Sequence, residues 1–117
     1  MLLALASQRL NKINESIEWL EKAARRQPEY PEIYKLLGVN YALGGMLKES
    51  ENSFRRSVEL DPKNWELHYL LGRTLYEAAD LKNAQDAFQR AIELSPSSVK
   101  AWTALGQVQE SLHDLFL

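Results

Sequence analysis

Cysteine is absent from the 117-residue chain, which excludes a disulfide framework, a thiolate metal site and a cysteine nucleophile. No apolar run approaches the roughly 18 residues that would read as a membrane-spanning helix. Charge of neither sign dominates. The net value of -2 gives no electrostatic pull toward nucleic acid or an anionic membrane, so neither is expected as a partner. A phosphate-cradling loop is missing too, because Gly44-Gly45 is not followed by Lys-Ser or Lys-Thr. What is present is ordinary for one folded domain: 45% apolar and 26% charged residues, a balance unlike that of disordered chains. The opening "MLLALASQRL" has a short apolar stretch with no basic residue before it and polar residues after it at helical spacing. It reads as helix rather than as a signal peptide. The expected location is the cytoplasm.

The dominant feature is internal repetition. "LDPKNWELHYLLG" at residues 60–72 returns as "LSPSSVKAWTALG" at residues 94–106, with Leu, Pro, Leu and Gly held in register. A period of 34 aligns Pro28, Pro62 and Pro96. It also aligns Leu3, Leu37, Leu71 and Leu105, each followed by a small residue: Ala4, Gly38, Gly72 and Gly106. Ile13, Leu47, Leu81 and Leu115 form another column, as do the bulky Leu20, Phe54 and Phe88. Two further columns are small: Ser16, Ser50, Ala84, and Ala23, Ser57, Ala91.

Within a period the apolar residues come in two bursts at helical spacing, such as Leu67, Leu70, Leu71, Leu75 and then Leu81, Ala84, Ala87, Phe88, Ala91. Two amphipathic helices per period follow. Small columns let backbones approach, and the bulky column fills the space beside them. Gly44-Gly45 and Ala79-Asp80 mark the turn inside a period. Asp61-Pro62 and Ser95-Pro96 end one hairpin, and Asn64 and Ser98 are the expected N-caps of the next.

These residues resemble the tetratricopeptide repeat pattern of an aromatic, Leu-Gly, Tyr, a small-x-x-x-Phe-x-x-small run and a closing Pro. One copy reads Tyr34, Leu37-Gly38, Tyr41, Ser50, Phe54, Ser57 and Pro62. The next reads His68, Leu71-Gly72, Leu75, Ala84, Phe88, Ala91 and Pro96. The resemblance covers essentially the whole chain. His68 in the aromatic slot, and Leu75 and Gln109 in the Tyr slot, depart from the pattern. It implies an all-α fold, a right-handed α-solenoid of antiparallel helix pairs with about seven helices. It also implies a single domain: a partial repeat at 1–30, whole repeats at 31–64 and 65–98, and a partial repeat at 99–117. In this register the chain enters partway through one repeat and leaves partway through another, so a fragment of a longer solenoid, or a small one that seals its ends by self-association, is expected.

Reactive groups do not converge in the sequence. His68 lies in a packing column, and His113 beside Asp114 is placed in a turn, where two neighbours make neither a metal site nor a triad. The interleaved acidic and basic residues, Glu49, Glu51 and Glu59 with Lys48, Arg55 and Arg56 among them, read as the solvated face of a helix. No catalysis, metal or cofactor is expected. Reading RNA one base per repeat would require the same side chains at fixed positions in each copy, and the inner-face positions vary.

What the resemblance implies instead is a scaffold whose concave face, lined by the first helix of each repeat, takes a peptide or protein partner. The expected contact residues are Lys35, Val39, Leu43, Tyr69, Arg73, Tyr76, Glu77, Lys100, Thr103 and Gln107. Tyr69, Arg73 and Tyr76 share one helix face, two aromatics flanking a guanidinium. Family members that grip chaperone C-terminal carboxylates do so with a clamp of Lys, Asn and Arg. The corresponding residues here are Lys35, Val39, Leu70, Lys100 and Ala104, so both asparagines and the arginine are missing and that role is disfavoured. An asparagine ladder known from a sugar-transferring branch is likewise replaced, by Leu36, Leu70 and Ala104. Two alternatives stay open. One is a regulatory arm of a larger enzyme. The other is self-assembly, a homodimer built through the C-terminal helix by Leu112, Leu115, Phe116 and Leu117.

Overall fold

The computed structural model describes residues 2–115, and every element among them is helical. In chain order these are α1 (Leu2–Arg26), α2 (Pro31–Leu43), α3 (Leu47–Leu60), α4 (Trp65–Glu77), α5 (Leu81–Leu94) and α6 (Val99–Leu115). They form two compact units, Met1–Leu60 and Asp61–Leu117. In the first, α2 packs against both α1 and α3; in the second, α4, α5 and α6 pack against one another.

Six helices are seen where the period suggested about seven. The difference lies at the two ends. Gly45 (φ 78°) and Ala79 (φ 64°) reverse the chain after α2 and α4. Met46 N–H then reaches the Tyr41 carbonyl at 2.8 Å, and Asp80 N–H the Leu75 carbonyl at 2.9 Å. Glycine adopts this left-handed conformation freely, whereas Ala79 bears a cost of roughly 1 kcal/mol. One period earlier the same position is Asn11 and one period later it is His113, and both remain inside a helix. With no glycine to break it and no packed hairpin to offset the strain, α1 runs straight through for 25 residues. His113 and Asp114 accordingly belong to α6 and not to a turn, a correction to the sequence reading.

Each hairpin is closed by its columns. Phe54 and Phe88, each 2% exposed, lie over Gly38 and Gly72, where an added Cβ would fall 2.6 Å from the ring. Ala84 and Ala91 occupy the small columns of the second unit, where they are fully buried. The first unit has serines there, and buried hydroxyls need acceptors. Ser50 Oγ donates to the Gly38 carbonyl at 2.7 Å and Ser57 Oγ to the Pro31 carbonyl at 2.6 Å, tying α3 to α2. The aromatic column has a polar role as well. Tyr34 Oη, His68 Nε2 and Trp102 Nε1 approach the carbonyls of Pro28, Pro62 and Pro96 at 3.0, 2.8 and 2.8 Å. A carbonyl only accepts, so His68 carries its proton on Nε2 and serves as a structural anchor. The expected N-caps form: Asn64 Oδ1 accepts from Glu66 N–H at 3.1 Å, and Ser98 Oγ from Ala101 N–H at 3.3 Å.

Between α1 and α2 the link is Tyr41, whose hydroxyl donates to Glu21 Oε1 at 2.7 Å. Burial first, then the bond to the Glu21 carboxylate, pushes the phenol up from its ordinary 10 to about 12. The folded state therefore holds this proton more tightly than the unfolded chain. The associated stability is fully present below pH 10 and is lost as pH rises through about 12. In an ultraviolet titration Tyr41 should ionise in a late step near pH 12, and Tyr41→Phe should delete that step. The same substitution should cost about 1 kcal/mol in denaturant unfolding at neutral pH. A titration in which the late phenol survives Tyr41→Phe would contradict this assignment.

Candidate protein-interaction cleft

The site is built on α4. Its apolar stripe (Leu67, Leu71, Leu75) faces inward, which turns Tyr69, Arg73, Tyr76 and Glu77 to the other side. There they meet α6, whose buried stripe Ala101, Ala104, Leu105 and Val108 leaves Lys100, Thr103 and Gln107 outward. The result is a cleft of about 460 Å³ lined by these residues together with Phe88, Val99 and Ala104. Seven of the ten contact residues expected from sequence thus come together within one unit. Lys35, Val39 and Leu43 lie on α2 in the other unit and line none of it; the first two are half-buried and Leu43 is exposed.

The walls are held rigid. The Tyr69 ring packs at 5.9 Å from Phe88 and 6.1 Å from Trp65, and the Arg73 guanidinium lies 5.9 Å from the Tyr69 ring centre. Tyr76 Oη is 3.0 Å from Ser111 Oγ, which joins α4 to α6 across the cleft. Padding between helices and lining of the cleft are therefore performed by the same two tyrosines. Sequence reading missed Phe88, Val99 and Ala104, which form floor and rim. Phe88 was assigned only to packing, and a buried ring can be both core and floor; Ala104 was named only as a groove position lacking a clamp arginine and a ladder asparagine.

Chemically the cleft offers two cations, Arg73 and Lys100, one carboxylate, Glu77, neutral donors and acceptors from Thr103 and Gln107, and aromatic area. Among the described residues no group of His, Asp or Glu is placed to hold a metal ion, and no helix is long and apolar enough to cross a membrane. At the C-terminal end of α6 Leu112 is half-buried and Leu115 exposed; Phe116 and Leu117 lie outside the described residues.

Helical hairpins with a glycine-aromatic lock at a fixed period define a helical repeat protein. Family models described as tetratricopeptide repeat match residues 1–64 and 65–108, and the chain belongs to that family. Among solved structures it is similar to the first such domain of Spaghetti bound to an HSP90 peptide (TM-score 0.84, 19% identity, 90% of this chain and 83% of that one). It is also similar to the Sgt2 domain from Aspergillus fumigatus (TM-score 0.83, 19% identity, 94% and 74% covered). A third likeness is to MamA (TM-score 0.84, 27% identity, 92% and 63% covered). A curated relative, an N-terminal acetyltransferase A complex subunit-like protein of Schizosaccharomyces pombe, is 39% identical over 59 residues. That match spans 50% of this chain but only 8% of the relative.

Proposed function

We propose that the chain is a non-catalytic interaction scaffold that holds an extended peptide segment of a protein partner in the cleft between α4 and α6, acting in the cytoplasm. The observation that carries this is the convergence of Tyr69, Arg73 and Tyr76 with Lys100, Thr103 and Gln107 on one groove. Rigid aromatics supply contact area at little entropic cost, and the Arg73 fork and Gln107 amide suit peptide and carboxylate oxygens. A solved relative that carries a bound HSP90 peptide supports peptide binding as the mode. The same ligand is not expected here, because Val39, Leu70 and Ala104 present no donors where a terminal carboxylate would need them.

The test is selection from a random-peptide display library, followed by titration of enriched peptides by fluorescence anisotropy. Arg73→Ala and Tyr69→Ala should each weaken binding by at least about tenfold, or 1.4 kcal/mol, with the helical circular-dichroism signal unchanged. Peptides that bind both variants as tightly as the parent would rule out this cleft.

A further inference from the structure

The cleft between α4 and α6 carries its charges in order along its length. The Tyr76–Ser111 contact joins positions 35 apart, one residue more than the 34-residue period, so the two helices run level. They also run in the same direction, since α5 reverses the chain and α6 reverses it again. Lys100, the second residue of α6, therefore stands level with the start of α4, while Glu77 closes α4 at the other end. Arg73 lies between them. At about 1.5 Å of rise per residue, Glu77 sits about 6 Å beyond Arg73 and about 16 Å beyond Lys100 along the groove. Glu110, exposed and next to Ser111, adds a second carboxylate at the Glu77 end. Glu66 is level with Lys100 on α4 but lines none of the cleft. The helix dipoles act in the same sense, because both N-termini bring positive partial charge to the Lys100 end.

These charges do not neutralise one another. Ion pairs within helices form at Glu51–Arg55, Arg56–Glu59 and Arg90–Glu93, yet Arg73 and Glu77, one turn apart on α4, make none. Arg73 turns the other way and lies over the Tyr69 ring at 5.9 Å, toward the Lys100 end. Among the described residues no carboxylate pairs with Arg73 or Lys100, and no cation pairs with Glu77. We infer that the cleft selects a partner segment of matching charge order, an acidic side chain against Arg73 and Lys100 and a basic side chain against Glu77. This rests on the peptide-binding reading of the same cleft and adds its specificity. For an extended chain at about 3.3 Å per residue, the span of about 6–16 Å sets the two charged residues about two to five positions apart. Glu77 also works against an all-acidic segment, whose next carboxylate would meet a like charge. The bare flank of α6 around Trp102 and Gly106 takes no part, as neither residue lines the cleft.

Random-peptide selection on the parent, on Glu77→Lys and on Lys100→Glu tests this. Both positions are exposed, so the helical circular-dichroism signal should be unchanged. Peptides enriched on the parent should carry an acidic and a basic residue at that spacing, in a single order. In fluorescence anisotropy, replacing the basic residue by Glu should weaken binding to the parent by about tenfold, and Glu77→Lys should restore it. Lys100→Glu should weaken the original peptide, and replacing that peptide's acidic residue by Lys should recover the loss. Both effects should shrink in about 1 M salt. Peptides that lose affinity for Arg73→Ala and Tyr69→Ala, yet lack a basic residue or bind Glu77→Lys as before, would overturn the charge order and leave the cleft as the peptide site. Peptides indifferent to Arg73→Ala and Tyr69→Ala, or a selection that enriches none, would overturn both readings.

Discussion

Phe88→Ala should destabilise the second unit by about 3–5 kcal/mol. The ring is 2% exposed and is wedged between the Gly72 backbone and the Tyr69 ring at 5.9 Å. Neither can follow it inward, since Gly72 is fixed within α4 and Tyr69 is held by Trp65 as well. A cavity therefore remains, and its cost adds to the lost transfer energy. For a domain whose whole stability is of order 5–15 kcal/mol, this brings unfolding within reach of mild denaturant. Urea unfolding followed by circular dichroism checks the value, and a loss under about 1 kcal/mol would mean that the hairpin closes around the gap. The same substitution removes the floor of the cleft and frees Tyr69, so any peptide bound there should be lost even at temperatures where the fold persists.

The glycine column provides the second large effect, and its sign changes along the chain. Gly72→Ala forces a methyl to within 2.6 Å of a buried ring with no room to retreat, and overpacking of this kind costs about 1–3 kcal/mol. Gly106→Ala meets open space in the middle of a helix and should stabilise by about 0.5–1 kcal/mol through helix propensity alone. Measured side by side at low protein concentration, the two midpoints should move in opposite directions. If both rise, Phe88 is less firmly held than its burial implies; if both fall, α6 is covered in solution even when dilute.

Much of this was legible in the amino-acid order. The period, the helix pairs, the N-caps Asn64 and Ser98 and the turn at Ala79 all follow from local rules that act over a few residues. The face that Tyr69, Arg73 and Tyr76 share is a consequence of helical spacing and was readable for the same reason. What escaped the sequence reading required knowing which partner each helix has. Gly38, Gly72 and Gly106 are identical letters in one column, and only the presence or absence of a neighbouring ring distinguishes them. Asn11 and His113 stand at a turn position, yet the helix continues through both, because strain at a turn is tolerated only where a packed hairpin offsets it. The role of His68 was half seen: the column predicted packing, while its bond to the Pro62 carbonyl emerged only from the fold.

The amino-acid order by itself determined the helices of the two whole repeats, their pairing and the family, since periodic apolar spacing and breaker residues are properties of the chain taken locally. Tertiary structure alone decided which outward residues converge. It joined Tyr76 to Ser111, 35 positions away, and made a cleft of α4 and α6. Convergence depends on the angle and depth at which packed helices meet, and those are set by side-chain volumes summed over a whole interface.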